Sequence, residues 1–153
     1  MTELDTSPRP KRPEFRNINV LVDLPRYRMP LAALVSILHR ISGAIMFLLL
    51  PFIIWMFDVS VSSEISFDRF KRVFNVGLQL SPDSLVPGWF MKLVALVLIW
   101  AYLHHLCAGL RHLWMDINHE AVSKQFGRGS AAATLALSIG LTVIFGAKLF
   151  GAY

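Results

Sequence analysis

Two short strings put polar side chains where apolar ones dominate. In Ser36-Ile-Leu-His39-Arg40-Ile-Ser-Gly43, the residues Ser36, His39, Arg40 and Gly43 recur at i, i+3, i+4 and i+7, so all four share one helical face. A hydroxyl, an imidazole and a guanidinium on one face form a wall of donors suited to a polar head such as a quinone carbonyl or a haem propionate. In the string from Tyr102 to Asp116, His105, Gly109 and His112 fall at i, i+4 and i+7, and His104 points about 100° away. An imidazole inside an apolar bundle can ligate haem iron, and a glycine one turn on lets a flat macrocycle approach the backbone. The plainer alternative is a histidine hydrogen-bonded to a neighbouring helix, and for His104, with no companion glycine, it is the preferred reading. Arg111 and His112 lie near the end of the same stretch, either as interface anchors or as partners for anionic propionates.

The elements carrying these strings are long and apolar. Of the 153 residues, 55% are hydrophobic and 16% charged, where a soluble domain carries about a quarter charged residues. The windows Leu31 to Phe57, Trp89 to Leu110 and Ser130 to Tyr153 hold three charges, Arg40, Lys92 and Lys148. Each window exceeds the roughly 20 apolar residues that cross a bilayer core. The expected fold class is therefore all-α, a membrane protein with three transmembrane helices over about 31–57, 89–114 and 130–153, preceded by an arm and interfacial segment over 1–30. A soluble enzyme, a nucleic-acid-binding domain and a disulfide scaffold are excluded. Arg40 lies about ten residues, roughly 15 Å of rise, beyond Pro30. A lone arginine at that depth can snorkel to the headgroups, but its company of Ser36 and His39 argues for a polar site.

The net charge of +5 is distributed as a membrane protein distributes it. Arg9, Lys11, Arg12, Arg16, Arg26 and Arg28 precede the first span, and Arg111, Lys124 and Arg128 lie at the connection between spans two and three. The other connection has Arg69, Lys71 and Arg72 balanced by four acids, so the positive-inside rule predicts a cytoplasmic N-terminus. The polar, proline-bearing first 30 residues show no secretory signal, and uncleaved insertion is expected. Cys107 is the single cysteine, which excludes an internal disulfide, a Cys-x-x-Cys-His haem attachment and an iron–sulfur cluster held by this chain alone.

Residues 1 to 16 read as a flexible basic arm, and the apolar run Val20 to Val22 as an interfacial or partner-packing segment. Pro51 removes a hydrogen bond to the Phe47 carbonyl and predicts a bend in span one. Phe67, Phe70 and Phe74 recur at helical spacing and predict an amphipathic interfacial helix over Ser66 to Phe74. Ser81-Pro82-Asp83-Ser84 and Pro87-Gly88 punctuate the return into span two, and Trp55, Trp89, Trp114 and Tyr153 fall where aromatic belts form. Spans one and two run antiparallel, so Ser36 and Arg40 can face His105 at similar depth in the same leaflet.

The string SILHRISG after Arg28-Met-Pro, followed by His105-x3-Gly109-x-Arg111-His112-x3-Asp116, resembles the cytochrome b-556 membrane-anchor family of bacterial succinate dehydrogenase, respiratory complex II. The similarity covers nearly the whole chain, and the two motifs in this order are strongly specific together. The resemblance implies that His105 is an axial ligand of one haem b, shared with a partner membrane subunit that supplies the second histidine. It implies that Ser36, Arg40 and Asp116 belong to the ubiquinone site and that His39, Arg111 and His112 lie at or near the haem propionates. The quinone-polarising tyrosine of other members belongs to the partner anchor. The segment Glu14 to Leu24 lacks the Ser-Pro-His arm of many relatives, and the spacing to Gly109 selects His105 over His104 as the ligand.

The resulting expectation is a non-flavin subunit of succinate:ubiquinone oxidoreductase in the bacterial inner membrane. It would pass electrons from an iron–sulfur subunit to quinone, beside a flavoprotein subunit and a second anchor, without nucleic acid. The alternatives are a fumarate reductase anchor and a haem-free structural anchor whose polar residues stitch helices together.

Overall fold

The computed structural model describes residues 19, 21–23 and 26–152. The basic arm over residues 1–16, Val20 of the short apolar run and Tyr153 lie outside the described residues. Helix α1 spans Leu31–Leu48 and opens on Pro30, whose φ of −65° suits a helix start and whose carbonyl accepts from Ala33 and Leu34. It ends at Leu49, with φ −91° and ψ 6°, and the chain resumes as α2 over Leu50–Val61. Pro51 accounts for the break: it has no N–H to donate backwards, and its ring disfavours helical geometry in the residue before it. Leu49 still accepts from the Ile53 N–H at 2.9 Å, so the expected bend falls two residues ahead of the proline and costs few hydrogen bonds.

Helix α3, Glu64–Asn75, is the amphipathic segment, two residues longer at its start than the phenylalanine spacing marked out. Ser63 caps it by accepting from the Ser66 N–H at 3.1 Å, and Ser66 Oγ accepts from the Ser63 N–H at 2.9 Å. This is a capping box with serine where glutamate is usual. Val73 is buried, Phe70 and Phe74 turn partly inward, and Phe67 stays exposed beneath the Lys71 ammonium. A two-stranded antiparallel hairpin, β1 over Gly77–Ser81 and β2 over Ser84–Pro87, follows. Gly77 begins it with φ +142°, and a Cβ there would strike the Val86 carbonyl oxygen, so glycine is required.

Pro87 then starts α4, Gly88–Ile117, whose 30 residues rise about 45 Å and overshoot a bilayer core. A 3-10 turn over His119–Val122 leads to α5, Lys124–Leu149, whose Phe126 N–H is met by the Ser123 hydroxyl at 3.4 Å. Thus α5 begins before the expected Ser130, because Ser123 supplies the cap that the apolar window by itself does not reveal. Among the described residues three helices, α1, α4 and α5, are long and apolar enough to cross a membrane.

The fold is a helical bundle in which α4 packs on both α1 and α5. Val35, Ala108 and Ala131, all completely buried, mark where the three meet. Small side chains let helix backbones approach closely where lipid gives no hydrophobic drive. The outward faces are apolar, with Leu106, Leu110, Leu113, Val143 and Ile144 exposed, as lipid or a partner helix requires.

Candidate functional site

His39 on α1 meets Gly109 and His112 of α4, and one turn further along α1 Gly43 meets His105, one turn earlier on α4. The two helices are therefore antiparallel neighbours. Both strings contain His-x3-Gly, and the helices use that spacing reciprocally. The His105 ring lies over Gly43, where a Cβ would come within 2.9 Å of its Cε1, and the His39 ring lies over Gly109, where a Cβ would sit 3.6 Å from its Nε2. The imidazoles stack at 4.1 Å between centroids and 19° between planes. His112 adds a third ring, 5.3 Å from His39 and tilted by 45°. Gly109, expected to let a macrocycle approach, has the His39 ring as its neighbour on α1.

The His105 ring is tied by one of its two nitrogens. Nδ1 lies 3.0 Å from the His39 carbonyl oxygen and 3.4 Å from Ser42 Oγ. A carbonyl only accepts, so Nδ1 carries the proton and Nε2 presents a lone pair. Nε2 has no hydrogen-bond partner among the described residues. A backbone carbonyl that fixes the tautomer and orientation of an imidazole is the outer-shell arrangement of metal-binding histidines. Ser42, fully buried and itself donating to the His39 carbonyl at 2.9 Å, belongs to this anchor. It was not singled out in the sequence because it lies off the stripe of Ser36, His39, Arg40 and Gly43, and only the partner helix reveals its use. Nε2 of His39 is buried without a hydrogen bond, a second imidazole nitrogen with unused capacity.

These features fit one axial imidazole for a haem iron: an anchored Nδ1–H, a free Nε2 and a glycine that admits the ring. Among the described residues no group of three or more His, Cys, Asp or Glu side chains is arranged to hold a metal ion.

Ser36 is half-buried, and among the described residues it is the one serine or threonine hydroxyl within a helix that makes no hydrogen bond. Arg40 is exposed and forms neither ion pair nor hydrogen bond among the described residues. Both lie on α1 with His39, so their donors are uncommitted. Asp116, exposed, continues the His105–Gly109–His112 stripe at the end of α4. Arg111 is not part of this cluster. It is 8% exposed, and its Nε donates to Ser130 Oγ at 2.9 Å while a terminal nitrogen donates to the Gly127 carbonyl at 3.3 Å, tying α4 to α5. Six residues separate it from His105, which turns it about 120° off the stripe. His104 likewise faces α5, with Nδ1 3.2 Å from Ser138 Oγ, the helix-to-helix hydrogen bond that its lack of a companion glycine suggested.

The family model for the succinate dehydrogenase/fumarate reductase transmembrane subunit matches residues 9–145. A succinate dehydrogenase cytochrome b556 subunit of Coxiella burnetii is 34% identical over 128 residues, 83% of this chain and 92% of that protein. The b556 subunit of Paracoccus denitrificans is 31% identical over 118 residues, covering 77% and 81% of the two chains. The b560 subunit of Porphyra purpurea is 31% identical over 114 residues, covering 71% and 83%. With its stacked His-x3-Gly pair on two antiparallel apolar helices and a family match across most of its length, the chain belongs to the succinate dehydrogenase/fumarate reductase transmembrane subunit family.

Proposed function

We propose that the chain is the membrane-anchor cytochrome b subunit of a bacterial succinate:ubiquinone oxidoreductase, with its N-terminus in the cytoplasm. The domain division is an arm to residue 30 and a three-helix membrane domain over 31–153. In this reading His105 would bind the iron of a single haem b, and a second anchor subunit would supply the other protein ligand. The observation that carries it is the His105 imidazole, held through Nδ1–H by the His39 carbonyl with Nε2 left as a free lone pair. When bound, the haem supplies a one-electron carrier beside the quinone site.

The remaining roles belong to side chains. The Ser36 hydroxyl and the Arg40 guanidinium, both without partners among the described residues, donate to a ubiquinone carbonyl oxygen and favour negative charge developing there. Asp116 marks the polar end of the same stripe and serves as an acid at the quinone-side surface. His39 and His112 offer imidazole nitrogens to the haem propionates. Arg111 takes a different part: its donors already hold α5, so it supports the bundle rather than a propionate. Succinate chemistry resides on a flavoprotein subunit and reaches this chain through an iron–sulfur subunit.

The test is a split of two activities in the purified complex. Ser36→Ala and Arg40→Leu should each depress succinate-driven ubiquinone reduction while succinate oxidation by an artificial acceptor persists. Equal loss of both activities would refute a quinone-site role for these residues and indicate failed assembly.

A further inference from the structure

His104 is the largest side chain in the bundle that is completely buried. It sits where α1, α4 and α5 converge, beside the small-residue junction of Val35, Ala108 and Ala131. Its ring stacks on Trp100, one turn earlier, at 5.6 Å and 19°. Nδ1 lies 3.2 Å from Ser138 Oγ on α5, and Ser138 also lies 3.3 Å from the Leu135 carbonyl. Nε2 is buried without a hydrogen bond of good geometry and points toward the Val35 backbone on α1. The Ser138 hydroxyl has a single proton, which either the Leu135 carbonyl or His104 Nδ1 can receive, and the second choice suits the imidazole. Ser138 O–H donates to Nδ1, and Nε2–H then faces the α1 carbonyl instead of opposing it. A hydrophobic residue would fill this junction without any such requirement, so the imidazole adds direction to the packing.

The direction matters because the next residue is His105. Adjacent helical residues point about 100° apart, so fixing His104 against α5 fixes the angle at which α4 presents His105 to α1. A rotation of α4 by about 10° carries a ring atom some 6 Å from the helix axis through about 1 Å, beyond the tolerance of a preorganised ligand site. The His105 Nδ1 to His39 carbonyl distance of 3.0 Å and the closely approached Gly43 leave no such slack.

We propose that His104, through its Ser138 hydrogen bond, is a positioning residue that sets the rotation of α4 and hence the orientation of His105 as a haem ligand. The inference rests on the haem reading above. The complex carrying Ser138→Ala, His104→Phe, His104→Asn or the double change His104→Phe/Ser138→Ala is purified, and its haem midpoint potential and low-spin g-values are measured. Ser138→Ala and His104→Phe should retain haem and shift both quantities in the same sense, the double variant should shift no further than the larger single, and His104→Asn, which keeps a polar atom near Nδ1, should return toward wild type. Haem present with wild-type potential and g-values in Ser138→Ala and His104→Phe overturns the positioning role alone. A wild-type complex without haem overturns both this inference and the reading it rests on. Ser138→Ala removes a single oxygen from α5, so the question remains answerable if His104→Phe fails to assemble.

Discussion

Gly43→Ala offers a perturbation whose size can be worked from the structure. The new Cβ would stand 2.9 Å from Cε1 and 3.3 Å from Nδ1 of His105, closer than side-chain carbons approach. The helix backbone cannot yield, so the ring must move away by a few tenths of an ångström, and the Nδ1–H bond to the His39 carbonyl, now 3.0 Å, is stretched or lost. Overpacking of this kind costs about 1–3 kcal/mol, against which alanine recovers at most about 1 kcal/mol of helix propensity. A net loss of about 1–2 kcal/mol at the ligand corresponds to roughly 5–30-fold weaker haem retention. Gly109→Ala is the control: its Cβ would meet His39 Nε2 at 3.6 Å, ordinary contact, so haem content should be close to wild type. The assay is haem per complex by pyridine haemochrome after graded detergent washing. Equal haem loss in the two variants, or greater loss in Gly109→Ala, would refute the reasoning.

Arg111→Met should lower the melting temperature of the purified complex, because it removes two charge-assisted hydrogen bonds to Ser130 and Gly127 worth about 2 kcal/mol together, yet it should leave the haem spectrum unchanged. A shifted spectrum would return Arg111 to the haem site. On the surface, the Lys71 ammonium 2.7 Å from Asp68 holds that carboxyl below the usual carboxylate range, by its hydrogen bond first and its charge second. A lowered folded-state pKa gives a contribution fully present above the unfolded value of about 3.9 and lost as pH falls through the folded value. Asp68 should therefore stay mostly ionised at about pH 3.9, where an unperturbed aspartate is half protonated, and Lys71→Ala should raise its midpoint in an NMR titration.

Much of this architecture was legible in the sequence because bilayer length and charge placement constrain it strongly. The bend near Pro51 follows from a missing N–H, and α3 from the spacing of Phe67, Phe70 and Phe74. The hairpin over 77–87 was not legible, since Leu78 and Leu80 alternate over too few residues to mark a strand and the feature depends on Gly77 reaching φ +142°. At the site, helical periodicity identified the stripes on α1 and α4 but not what faces them. Ser42 lies off its stripe and becomes meaningful only where His105 approaches from the other helix. Arg111 was legible as a charge near a helix end, but its commitment to Ser130 depends on how α5 crosses α4. Periodicity fixes which side chains share a face; packing decides what each glycine meets, His105 at Gly43 and His39 at Gly109.

The central claim is that His105 Nε2 binds iron. The reduced-minus-oxidised visible spectrum of the complex carrying His105→Ala, purified beside wild type with all subunits present, tests it most directly. The predicted result is b-type absorption bands in wild type and their loss in the variant. Bands of undiminished height in His105→Ala would contradict the assignment.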